Sequence, residues 1–172
     1  MSPAAGIRAF VANARRATLA TLGPAGRPRL LPICFVLAQP AVLDTAGRPS
    51  DPGSPVGVNG LLVLYSAIDE KPKRTADPLR LARVRDILAR PEATVLVDRW
   101  DERWERLAWV RLQCRAEILP VGETDHGERE RAFAALRAKY PQYRLQRLES
   151  RPLIRLTCEV AAAWGDLAKE VR

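Results

Sequence analysis

The stretch Leu61–Arg74, LLVLYSAIDEKPKR, decides how this chain is read. An apolar run rich in branched and aromatic residues ends at Ser66, and Lys71, Lys73 and Arg74 follow within a few residues. The run has the composition of a buried strand. A hydroxyl and three cations just past its end make a donor set at a sheet edge that suits an anionic ligand such as a phosphate.

On the N-terminal side, ATLATL (17–22) and RPRLLPICFVL (27–37) flank Gly23-Pro24-Ala25-Gly26, which reads as a strand, a tight turn and a second strand. Pro32 removes one ladder donor from that second strand, so it marks either an edge or a bulge that bares backbone amides and carbonyls. Before the hairpin, Ile7, Phe10, Val11 and Ala14 recur at helical spacing, with Ser2 and Pro3 placed to start a helix over 3–15. Residues 38–60 are rich in Pro and Gly and read as a long loop within the domain, because strands continue on both sides.

Beyond the cations, Asp77-Pro78 opens a helix with Leu81, Val84, Ile87 and Leu88 on one face, ending before Pro91. Ala93–Val97 begins another strand, and DRWDERW connects it to a long one, LAWVRLQCRAEIL. Alternation sends Leu107, Trp109, Arg111 and Gln113 to one face and Ala108, Val110, Leu112 and Cys114 to the other. Arg111 therefore needs a carboxylate or a bound anion if its face is covered. A helix over 122–140, with Thr124 and Asp125 as caps, and a strand over 152–164 complete the chain. Six strands and three helices joined mostly by hairpin-like connections predict an α+β fold, a mainly antiparallel small barrel in a single domain over 1–172.

Composition narrows the function. All but four of the 28 basic residues are arginine, and the net charge is +8. Such a charge attracts nucleic acid or any polyanionic small ligand alike. The arginines are scattered among glutamates, with no zinc-finger spacing and no aromatic RNA-binding signature, so nucleic acid is not the expected partner. Arginines at 8, 15 and 16 break any apolar N-terminal run, which argues against a signal peptide or a membrane span and for a cytoplasmic protein. Cys34, Cys114 and Cys158 show no CxxC spacing and read as buried free thiols. His126 is the only histidine and has no ligand neighbours, so no metal site is expected.

The succession of ATL, GRPRLLPICF, LLVLYSAIDEKPKR, RPEATVLVD and WVRLQCRAEIL, with a closing strand that carries Trp164, resembles the pyridoxamine 5'-phosphate oxidase-like split β-barrel family over residues 5–165. Within it the chain is most similar to the branch that uses the deazaflavin coenzyme F420. The pieces that carry the likeness best are GxPxxxPxxF at Gly26–Phe35 and the Ser66…Lys71 pair. The resemblance implies a homodimer with two cofactor sites at its interface. It implies further that Pro32, Ile33 and Cys34 line the ring through their backbone, that Ser66 approaches the phosphate or ribityl chain, and that Lys71 binds the phosphate. Lys73 and Arg74 are near enough to assist, and Arg111 is a further candidate.

The activity implied is hydride transfer from F420 to an electron-poor organic substrate, in which the cofactor carries the chemistry and the protein orients it. F420 bears a phosphodiester and an oligoglutamate tail, which suits an arginine-rich groove. The alternatives are an FMN enzyme of the same fold and a non-catalytic carrier of deazaflavin, flavin or haem. Leu31-Pro32 stand where the vitamin-phosphate oxidases carry an arginine, a departure from their pattern.

Overall fold

The computed structural model describes residues 3–38, 62–71, 75, 77–122 and 126–168. Lys73, Arg74, nearly all of the 38–60 loop and the capping candidates Ser2, Thr124 and Asp125 lie outside the described residues. The elements run α1 (Pro3–Asn13), β1 (Ala17–Leu22), β2 (Pro28–Ile33), β3 (Val36–Leu37), β4 (Val63–Ala67), α2 (Ala82–Ala89), β5 (Glu92–Arg99), β6 (Ala108–Leu119), α3 (His126–Lys139) and β7 (Leu153–Gly165).

The seven strands among the described residues form one sheet in the order β2-β1-β5-β6-β7-β4-β3, and every pairing is antiparallel. β2 and β3 are the two edges of that sheet, yet only Cys34 and Phe35 separate them in the chain. Laid flat, seven strands would hold their edges about 29 Å apart. Three Cα steps reach no further than about 11 Å. The sheet must therefore curl until its edges meet, which makes the α+β half-barrel that the sequence predicts. The expected second strand is cut at this switch into β2 and β3, and that cut accounts for seven strands in place of six. Pro32 sits in an edge strand whose register with β1 runs unbroken from Ala17↔Ile33 to Leu22↔Pro28. The proline thus marks an edge and not a bulge.

Two apolar clusters hold the fold. Inward residues of the strands, among them Leu19, Val95, Val97, Val110, Leu112, Leu64 and Leu156, fill the barrel together with Phe35. Ile7, Phe10 and Val11 of α1 and Val84 and Ile87 of α2 join the same cluster. α1 lies near the Arg99 end of β5, where the Arg99 guanidinium sits 5.4 Å from the Phe10 ring. α2 lies near the end of β1, where buried Asp86 accepts hydrogen bonds from the Thr21 hydroxyl at 3.0 Å and Arg29 Nε at 2.8 Å. Leu88, expected on the apolar face of α2, points to solvent instead.

The second cluster lies outside the barrel. Ala132, Phe133 and Leu136 of α3, with Tyr140, Tyr143 and Leu148, cover Val36, Tyr65 and Ala67 on β3 and β4. β6 alternates as expected, with Ala108, Val110, Leu112 and Cys114 buried and Arg111 and Gln113 exposed. Cys114 and Cys158 are buried free thiols 3.4 Å apart between β6 and β7. Gly165 has φ of 85°, and a Cβ there would stand 2.1 Å from the Leu107 carbonyl, so only glycine fits the end of β7.

Candidate functional site

The switch between the sheet edges is the point on which separate elements converge. Tyr140, just past α3, fixes it: its hydroxyl accepts from Phe35 N–H at 3.0 Å and lies 2.7 Å from the Phe35 carbonyl and 3.0 Å from the Arg15 carbonyl. Burial pushes the Tyr140 phenol up to about 12, so the hydroxyl keeps its proton for one of these carbonyls. From β4, Ser66 donates to the Cys34 carbonyl at 2.9 Å. Ser66 is buried and braces the switch from inside the barrel.

Cys34 itself is only partly buried. Gln142 Nε2 stands 4.0 Å from its sulfur, and Tyr143 hydrogen-bonds to it. Burial, reinforced by Cys34, raises the Tyr143 phenol well above its ordinary range. Lys139 at the end of α3 places its ammonium 4.4 Å from the Phe35 ring and 3.1 Å from the Ala12 carbonyl. Burial, aided by repulsion from Arg15, pulls the Lys139 amine down to about 8. The ring faces of Phe35 and Tyr140 favour its charged form and act against that pull.

Past β4, Asp69 lies 3.5 Å from the exposed Lys71 ammonium. Asp69 also raises the neighbouring Tyr143 phenol and acts on Arg83 of α2, whose guanidinium burial shifts down. Charges from separate parts of the chain thus act about the switch: Lys139 interacts with Cys34, Arg83 with Tyr143 and Arg15 with Tyr140 and Lys139, while Lys71 pairs with Asp69. Such a donor set fits an anion. Lys71 is exposed, and its ammonium suits a phosphate as a point charge.

Of the residues expected from sequence, Pro32, Ile33, Cys34 and Ser66 meet at the switch, and Lys71 stands on the loop that follows Ser66. Pro32 is exposed, whereas Ile33 and Ser66 are buried, so backbone and not side chain is what Ile33 can offer a ligand. Arg111 is separate: it shares an outward row with Pro32, Thr18 and Leu96 but lies three strands from β2, about 14 Å away. Arg15, Arg83, Lys139 and Tyr143 are additions that sequence did not single out. Each lies on a different helix or turn, and none carries a local motif.

A family model described as pyridoxamine 5'-phosphate oxidase matches residues 4–165. The chain belongs to this family. Solved structures with the same fold include a conserved hypothetical protein from Mycobacterium tuberculosis, 18% identical with a TM-score of 0.63, over 98% of this chain and 86% of that one. A FAD-binding protein from Mesorhizobium loti is 18% identical with a TM-score of 0.57, over 95% and 92% of the two chains. The heme storage protein HutZ from Vibrio cholerae is 14% identical with a TM-score of 0.58, over 96% and 95%. No curated protein matches. Family membership thus carries a fold shared by proteins named for flavin and for heme. Among the described residues of this member, no helix is long and apolar enough to cross a membrane.

Proposed function

We propose that the chain is a cytoplasmic, homodimeric oxidoreductase that binds F420 at the β2–β3 switch and serves hydride transfer to an electron-poor organic substrate. The observation that carries this reading is the excess of cations near the switch, with Lys139 acting on Cys34, Arg83 on Tyr143, Arg15 on Lys139, and Lys71 beside Asp69 on the loop after β4. A cofactor with several negative charges gains more from four cations than a singly phosphorylated one, which favours F420 over FMN. Pro32, Ile33 and Cys34 present backbone to the ring, Ser66 holds that backbone in place from behind, and Lys71 takes the phosphate. Lys73 and Arg74 extend the same cationic loop in sequence. When bound, the deazaflavin supplies the hydride, and the protein supplies position and charge.

Titration of the cofactor-free protein with F420 and separately with FMN, followed by cofactor fluorescence, tests the reading. F420 should bind much more tightly than FMN. The reverse preference assigns the protein to FMN chemistry, and failure of both removes the cofactor reading. Lys71→Ala should weaken F420 binding by about 10- to 100-fold, as expected for loss of a charged hydrogen bond, and leave the melting temperature unchanged. Unaltered affinity would take Lys71 out of the site. A heme-binding neighbour of the same fold makes a carrier the competing reading, and turnover with nitroaromatic or quinone acceptors separates enzyme from carrier.

A further inference from the structure

The cofactor reading leaves two buried nucleophiles without a role. Cys114 on β6 and Cys158 on β7 are partners in the strand register, and their sulfurs lie 3.4 Å apart. Cys158 donates its N–H to the Leu62 carbonyl at 2.9 Å. On an antiparallel strand the N–H and C=O of one residue leave on the same side, so Cys158 bonds away from β6 and meets Cys114 as a non-hydrogen-bonded pair. Such pairs hold their Cα atoms about 4.5 Å apart, inside the range of about 4.4–6.8 Å that a disulfide spans. The sulfurs must then close from 3.4 Å to about 2.0 Å, a shift within reach of side-chain rotation.

Access to the pair is one-sided. A groove of about 350 Å³ runs between Ala20, Leu22, Pro28 and Thr94 and has Cys114 and Glu159 on its lining, whereas Cys158 is fully enclosed. The ladder is also loosened here. Gln113 pairs with Val160 and Cys114 with Cys158, so Glu159 is the extra residue of a bulge. A small polar solute can therefore reach Cys114 but not Cys158. The hydrogen bond to Cys158, burial and the Glu159 carboxylate push the Cys114 thiol well up, so its thiolate is scarce and its first reaction slow. Once Cys114 is oxidised, its partner is already in contact, and proximity makes the second step fast.

We propose that Cys114 and Cys158 form a peroxide-sensitive dithiol that closes into a cross-strand disulfide between β6 and β7. The Cys114 sulfur attacks one oxygen of hydrogen peroxide. An S–O bond forms, the O–O bond breaks, and the thiol proton leaves with the other oxygen as water, which gives a sulfenic acid on Cys114. The Cys158 sulfur then attacks the Cys114 sulfur. The S–S bond forms, the S–O bond breaks, and the Cys158 proton leaves with the hydroxyl as a second water. Two thiols lose two electrons, and one peroxide is reduced to two waters. In a reducing compartment the pair rests as thiols, and the bond marks exposure to oxidant. Its consequence lies in what it encloses. The two cysteines are 44 positions apart, with α3, Tyr140 and Tyr143 between them. The bond ties together both ends of the segment that braces the switch.

Peptide mapping of the full chain, exposed to hydrogen peroxide while folded and alkylated after unfolding, tests the proposal. The reduced chain should be alkylated at Cys34, Cys114 and Cys158. After exposure a linked Cys114–Cys158 peptide should replace the two alkylated ones, and a thiol reductant applied in denaturant should restore them. In Cys158→Ala the sulfenic acid has no partner, so a dimedone adduct should accumulate on Cys114. In Cys114→Ala, Cys158 should stay unmodified. Melting temperatures before exposure control for folding of both variants, and the wild-type map stands without them. The linked chain should melt about 5–10 °C above the reduced one. Survival of both thiols under peroxide that oxidises glutathione in the same solution, or a link that forms only in the unfolded chain, would overturn the proposal. The linked peptide is expected whether or not F420 binds, so failure of the cofactor reading leaves it standing.

Discussion

Tyr140 shows how much one side chain settles. Its hydroxyl supplies the partner of the buried Phe35 N–H, at the point where the chain leaves one sheet edge for the other. Tyr140→Phe leaves that donor without its acceptor, and an unmade buried hydrogen bond costs about 1–3 kcal/mol. Urea denaturation should register the loss, and cofactor affinity should fall with it if Cys34 backs the ring. Lys139 makes a different prediction, in pH. Its folded amine, lowered to about 8 from 10.5, binds fewer protons than the unfolded one between those values. Stability therefore rises with pH across that window, and the cost of holding the charge is fully present below it. The stability difference between wild type and Lys139→Met should shift in favour of wild type by about 1–2 kcal/mol from pH 7.5 to 10, a figure discounted for partial solvent access. Comparison with the variant cancels the opposing loss from Tyr140, whose raised phenol withdraws stability above pH 10.

At the scale of elements, the Thr21–Asp86–Arg29 contact ties α2 to the first hairpin. Arg29→Ala would leave a buried carboxylate with only the Thr21 hydroxyl. That should cost about 1–3 kcal/mol by urea denaturation, less than for a fully buried pair because Arg29 is half exposed. Asp86→Ala combined with Arg29→Ala should cost less than the sum of the two. Alternation in β6 and period in α1 and α3 were readable from sequence because each lies within one element and repeats. The division of 27–37 at Cys34 was not, since apolar residues run through it and only the pairing partners of Ile33 and Val36 differ. The same limit explains the site. Ser66 and Lys71 share a stretch of chain and were found together, whereas Arg15 past α1, Arg83 on α2, Lys139 on α3 and Tyr143 past α3 meet only once the barrel has closed. Arg111 was correctly placed on the outer face of β6, but sequence could not count the strands between it and Pro32.

For the whole molecule, closure of the sheet rests on a covalent joint two residues long. Two glycines inserted between Cys34 and Phe35 should lower the denaturation midpoint strongly and reduce the steepness of the transition, because edge pairing and the Tyr140 contact are lost together. The same insertion between Pro24 and Ala25, in the exposed turn of the first hairpin, should cost under about 1 kcal/mol. The pair of insertions, read by urea titration, separates a joint from a loop. A similar effect of both would show that the switch is not what holds the barrel.

The strand order has one more consequence, and it concerns time. The ribbon of β3 and β4 has a single neighbour among the described strands, β7, which follows all the others in sequence. A nascent polypeptide emerging from the ribosome can pair β1 with β2 and β5 with β6. The β3–β4 ribbon, and with it the switch between the sheet edges, has no berth until Leu153–Gly165 arrives. Docking of that ribbon therefore follows synthesis of every other described strand, and the joint between the sheet edges is the last part of the barrel to close.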